Sequence, residues 1–169
     1  MIAQKMQDAL NEQINAETYS AYLYLSMAAY FDSQSLAGMA NWMRIQAQEE
    51  LSHANKFYDF INERDGRVIL TEIAGPKTEW NSPLEVFEDA LAHEQKITGL
   101  IGDLSTLAAE EKDHAAYTFL EWFVTEQVEE ENSVRTIVDQ LKLVGDAGVG
   151  KFMIDKELGA RTVAAAPAE

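Results

Sequence analysis

Apolar residues recur along most of the chain in steps of three and four, the period of a helix with one buried face. In residues 6–31 they fall at Leu10, Ile14, Ala21, Tyr24, Ala28 and Phe31. A second series runs through Leu36, Met39, Met43, Ala47, Ala54, Phe57 and Ile61, and DSQS at 32–35 offers a turn and cap residues before it. The third helix is expected to start at SPLE (82–85), with Ser82 as N-cap, Pro83 in the first helical position and Glu85 closing a capping box. It reads Leu84, Phe87, Leu91, Ile97, Ile101 and ends near Ala109. EEKD then turns the chain into a fourth helix, reading Tyr117, Leu120, Val124, Val134, Val138 and Leu141. Glycines at 145–150 end that helix, KFMIDKELG makes a short fifth one, and RTVAAAPAE (161–169) reads as a loose tail.

The expected fold is all-α: one domain over 1–169, with a four-helix bundle at about 4–144, a short C-terminal fifth helix at about 147–159 and a flexible tail at 160–169. Residues 63–81 break the helical pattern with Gly66, Gly75 and Pro76. A connection that long is uncommon in a compact domain. It can cross the bundle, letting the third helix run parallel to the second, the single-crossover arrangement.

Each helix interrupts its apolar face with a polar group. Glu17, Glu50 and Glu94 occupy core slots, as do Gln127 and Glu130, and His53 follows Glu50 by one turn. The interruptions repeat: 33 residues separate Glu17 from Glu50 and Glu94 from Gln127 alike. A shift of 77 residues lays Glu17 on Glu94, Glu49 on Glu126, Glu50 on Gln127 and His53 on Glu130. Each pair is centred on its own turn, so each hairpin carries its polar group level with its partner's, mid-bundle; how the two hairpins pack on each other rests on the long connection. Several carboxylates desolvated together repel, and unpaired burial costs several kcal/mol each. A multivalent cation removes that cost. Carboxylate helices facing helices with an i, i+3 ligand pair is the arrangement of di-iron and di-manganese bundles; ELSH fits that pair, and QVEE stands in the second. Oxygen ligands with one imidazole suit iron or manganese.

Composition narrows the partners. The formal net charge is −16, from 29 acidic and 13 basic residues, which argues against nucleic acid and against anionic membranes. There is no cysteine, so disulfides, thiolate metal sites and cysteine nucleophiles are excluded. No apolar run reaches the length of a membrane span, and the N-terminus lacks a signal-peptide pattern, so a cytoplasmic protein is expected.

Glu17, EELSH at 49–53, Glu94 and EQVEEE at 126–131 resemble the ferroxidase centre of ferritins, specifically the non-haem bacterial type. The likeness extends through FLEWFVTEQVEEE and FMIDKEL over nearly the whole chain. It implies a ferroxidase that oxidises Fe(II) with dioxygen or hydrogen peroxide and deposits ferric mineral inside a homo-oligomeric 24-mer cage. It also implies roles for matching residues: Glu17, Glu50 and His53 on one iron; Glu94, Glu130 and bridging Glu50 on the second; Gln127 as a non-ligand neighbour; Tyr24 as the nearby tyrosine; and Glu49, Glu126, Glu129 and Glu130 around a third iron. Haem is not expected, because Leu51 stands where haem-binding relatives carry methionine. Tyr117 and Leu120 match the acidic pair that lines the iron-access channel of animal ferritins, which leaves that route unassigned. His93 and His114 are expected to face solvent, Trp42, Trp80 and Trp122 to serve packing or interfaces, and the methionines to fill the core. A di-metal oxidoreductase acting on a small substrate is the alternative function, and a metal-free structural bundle a third.

Overall fold

The computed structural model describes residues 2–162, so residues 163–169 of the expected tail lie outside it. It contains five helices: α1 (Gln4–Ser33), α2 (Ala37–Glu63), α3 (Pro83–Glu110), α4 (His114–Val144) and α5 (Gly148–Leu158). No strand occurs among the described residues, and no helix there is long and apolar enough to cross a membrane.

Two antiparallel hairpins, α1–α2 and α3–α4, pack into the bundle. Phe31 meets Phe87 at 5.6 Å between ring centres, and further along Ser20 meets His93. Residue numbers rise along α1 as they fall along α3, so those two helices are antiparallel. α3 therefore runs parallel to α2, as the long connection allows. Two apolar clusters fill the interior. One surrounds Phe31, Met43, Phe87 and Val138, and the other Leu10, Phe57, Ile101 and Leu120. The polar groups of the four helices lie between them.

The long connection has a specific anchorage. Asn11 donates to the carbonyl of Arg67 at 3.0 Å and accepts from the amide of Ile69 at 2.7 Å. Asn15 donates to Thr71 and to the carbonyl of Glu72, and Ser26 donates to the carbonyl of Lys77. The polar stripe of α1 thus satisfies a backbone that has no secondary structure of its own. Trp80 ends the crossing, buried against Tyr30 and bonded through its indole N–H to Asp89.

Several local expectations are corrected. DSQS gives α2 no side-chain cap; its N-cap is Leu36. The orphan amide of Met39 is instead met at 2.8 Å by Asp155 of α5. Gly38 permits that approach, since a β-carbon there would sit 1.6 Å from the Asp155 carbonyl oxygen. Ser82 does cap α3, but Glu85 closes onto the amide of Asn81 rather than that of Ser82. Tyr117 and Val124 are exposed, because the inward stripe of α4 runs through Ala116, Leu120, Phe123 and Gln127. Leu120 is fully buried, so of the two positions matched to an access channel only Tyr117 reaches the surface.

Candidate metal centre

Glu17, Glu50, Glu94 and Glu130 come together from all four helices, each at most 7% exposed, with His53 at 4%. One ligand atom from each of Glu17, Glu50 and His53 falls in a group whose members lie within 4.8 Å of one another. Glu50, Glu94 and Glu130 form a second such group, so Glu50 belongs to both. A third joins His53, Glu126 and Glu130. Helical periodicity explains the first set: Glu50 and His53 are one turn apart on the inner face of α2, level with Glu17 across the hairpin.

Hydrogen bonds orient the carboxyls. Gln13 donates to Glu17 at 2.8 Å. Glu94 accepts from the Tyr24 hydroxyl and, at 3.1 Å, from Gln127. Gln46 donates to Glu130 at 2.9 Å. Capacity is left over: Glu17 Oε2 and Glu130 Oε2 are buried with no hydrogen-bond partner among the described residues. Buried carboxyl oxygens without donors are costly, and ligation by a cation satisfies them.

Electrostatics point the same way. Burial, with Glu94 adding repulsion, pushes Glu17 up to about 7. Burial and then Glu94 and Glu17 push Glu130 up to about 10. Glu50 is raised by burial and by Glu130, Glu94 and Glu17, and Glu94 is raised by burial against the opposing hydrogen bonds from Tyr24 and Gln127. Tyr24 is held above its ordinary range by burial and the carboxylates around it. Burial, then Lys56, brings His53 down to about 4. Burial thus works against charge on both partners in the 3.5 Å approach of His53 Nδ1 to Glu50. Without a cation, burial and mutual repulsion favour the protonated forms of these carboxyls. A neutral imidazole is the form that ligates a metal.

The remaining acidic positions divide. Glu126 is half-buried and in reach of His53 and Glu130; Glu49 is half-buried but belongs to none of the three groups, and Glu129 is exposed and also outside them. His114 faces solvent as expected. His93 does not: it is 8% exposed, 2.7 Å from the Ser20 hydroxyl, and burial brings it down to about 4. The stripe that turns Glu94 inward also turns His93 against α1. Trp42 and Trp80 are buried packing residues, whereas Trp122 is 41% exposed, in a T-shaped contact with His53 and with Lys56 4.2 Å from its ring centre.

Gln13, Gln46, Ser20 and Arg161 were not singled out by sequence. The glutamines had a legible signal, since each precedes an inward glutamate by four residues.

A four-helix bundle with carboxylates and an imidazole gathered mid-height defines a candidate di-metal carboxylate protein. The ferritin-like domain family matches residues 7–144. The bacterial non-heme ferritin of Staphylococcus saprophyticus is 46% identical over 162 residues, covering 96% of this chain and 97% of the relative. That of Bacteroides fragilis is 47% identical over 161 residues, covering 95% and 100%. The open pore ferritin of the hyperthermophilic archaeon Archaeoglobus fulgidus superposes with a TM-score of 0.94 at 54% identity, covering 95% of this chain and 98% of that one. The chain belongs to the ferritin-like domain family.

Proposed function

We propose that this protein stores iron and removes free ferrous ion, acting as a ferroxidase on iron as its substrate. The observation that carries the reading is the pair of three-residue groups sharing Glu50. Glu17, Glu50 and His53 take one ferrous ion, and Glu50, Glu94 and Glu130 the second. Each ion gives up one electron. The pair reduces dioxygen to hydrogen peroxide, or hydrogen peroxide to two waters, with two protons consumed in either case. The carboxyls release their protons as the ions bind, and the ionised oxygens favour the ferric product. Gln13, Gln127 and Tyr24 hold the ligands in place. Glu126, with Glu49 and Glu129 close by, offers a weaker carboxylate position through which ferric ion leaves the pair.

Storage requires a closed compartment, and the surface supports assembly into the 24-mer shell expected from sequence. Ile69 and Leu70 of the long connection are 47% and 71% exposed, with Tyr22 and Leu25 on α1 51% and 48%. On α5, Val149, Phe152 and Met153 are 75%, 66% and 66% exposed. Apolar patches of this kind mark interfaces.

A small-substrate oxidoreductase needs a pocket at the metal pair. The cleft of about 430 Å³ beyond His93 is lined by Glu12, Asn15, Tyr19, Glu72 and Lys96, and none of the four clustered carboxylates borders it. The bacterial non-heme ferritin relatives favour iron as the substrate.

The test is aerobic addition of Fe(II) to purified apo-protein whose assembly size has been measured. The expected result is a particle far larger than the 18.9 kDa subunit, a fast oxidation phase that saturates at two Fe(II) per subunit, and a retained ferric core. A stable monomer, or oxidation with no saturating phase, overturns the reading.

A further inference from the structure

Arg161 follows the last helix, and nothing in its sequence neighbourhood connects it to the metal cluster. In the fold its guanidinium lies 4.6 Å from the centre of the Trp42 ring. Nη2 donates to Glu49 Oε2 at 2.6 Å, and Nη1 donates to Gln46 Oε1 at 2.9 Å and to the Trp42 carbonyl at 3.5 Å. Gln46 in turn donates to Glu130, whose other oxygen is buried without a partner among the described residues. One arginine thus touches Glu49 directly and a buried ligand carboxyl through a single amide. Docking of α5 on Gly38, with Asp155 on the Met39 amide, sets where it stands.

We propose that Arg161 is a displaceable internal counter-ion that competes with the third cation for Glu49 and so keeps that position weak. This rests on reading the cluster as an iron-handling centre. A guanidinium is charged at every working pH and cannot be neutralised by losing a proton. A metal ion that takes Glu49 must displace the Arg161 contact, and that displacement lowers its affinity. The two ions sharing Glu50 have no ligand in direct contact with Arg161, so the penalty falls mainly on the third position. In the metal-free chain the same charge offsets the repulsion that Glu49 and Glu129 exert on Glu126. A ferric ion resting there is held loosely, and the returning guanidinium favours its departure.

Redox-inert Zn(II) tests this without turnover. Crystals of the assembled protein are equilibrated at graded Zn(II), and anomalous scattering gives the occupancy of each position. In the wild type the Glu50-bridged positions fill first, and where the third position fills the Arg161–Glu49 contact opens. Arg161→Gln fills the third position at about tenfold lower Zn(II), the scale of one charge-assisted hydrogen bond, with the bridged pair unchanged. Arg161→Lys, which keeps the charge, stays near the wild type, and adding Glu49→Gln to Arg161→Gln abolishes the gain. A third position that fills in the wild type with the Arg161–Glu49 contact intact overturns the proposal without any variant. An unchanged or higher filling concentration in Arg161→Gln also overturns it. Bridged positions that stay empty in the wild type at saturating Zn(II) overturn the reading of the centre, and the proposal with it.

Discussion

Gln46 of α2 donates to Glu130 of α4 across 2.9 Å, while the second oxygen of Glu130 is buried without a partner among the described residues. The amide satisfies half of a carboxyl that a metal ion would otherwise satisfy. Gln46→Leu removes the donor and leaves both oxygens unmet. The metal-free protein is expected to lose about 1–3 kcal/mol of stability, the cost of a buried acceptor left unpaired. With Zn(II) bound, ligation replaces the lost bond and the deficit shrinks. Thermal unfolding of wild type and variant, with and without Zn(II), measures both. An equal deficit in the two states would mean that Glu130 does not ligate.

His53 is the one imidazole in the clustered groups. His53→Ala is expected to weaken binding of the first ion by at least about tenfold, the scale on which even supporting residues of metal sites act. The fast phase of Fe(II) oxidation slows with it, while assembly is unchanged. Stopped-flow oxidation and Zn(II) titration of the assembled variant check this. Wild-type kinetics in an intact shell would remove His53 from the ligand set.

The raised carboxyls also predict how stability depends on pH. A carboxyl whose folded value exceeds its unfolded one contributes stability below the unfolded value and loses it as pH rises toward the folded value. Glu130, at about 10, still holds its proton in the folded chain near neutrality, and Glu50 is shifted in the same direction by burial and its carboxylate neighbours. His53 and His93, at about 4, act in the opposite sense, but their contribution is complete above the ordinary histidine range. Between pH 7 and 9 only the carboxyls count, so the metal-free protein is expected to melt at progressively lower temperature. Metal ions displace those protons and flatten the slope. Melting curves of apo and Zn(II)-loaded protein across this window decide it; a rising apo melting temperature would contradict the protonated cluster.

Leu51 is 45% exposed and offers no sulfur to a haem iron. Purified protein supplied with haem is expected to show no bis-thioether absorption spectrum. Leu51→Met restores the sulfur and is the matched comparison. A stoichiometric spectrum of that kind from the wild type would mean that another residue supplies the axial ligand.

Sequence alone determined the helices and the height of the centre. Helical period is local, so Glu17, Glu50, Glu94, Gln127 and Glu130 could be placed on inward stripes and levelled about their turns. It also carried the direction of α3, because a short turn and a long connection reach different ends of a bundle. Tertiary structure decided what period cannot express. The inward stripe of α4 passes through Phe123 rather than Val124, since packing against Phe57 and His53 sets its rotation. His93 is buried because α1 covers that side of α3, and its Ser20 partner lies 73 residues away. The cap of α2 comes from Asp155 and the cation at Glu49 from Arg161, both beyond the bundle in sequence. Hydrogen bonds and ion pairs act over a few ångströms in space without regard to separation along the chain, so these relationships exist only once the helices have packed.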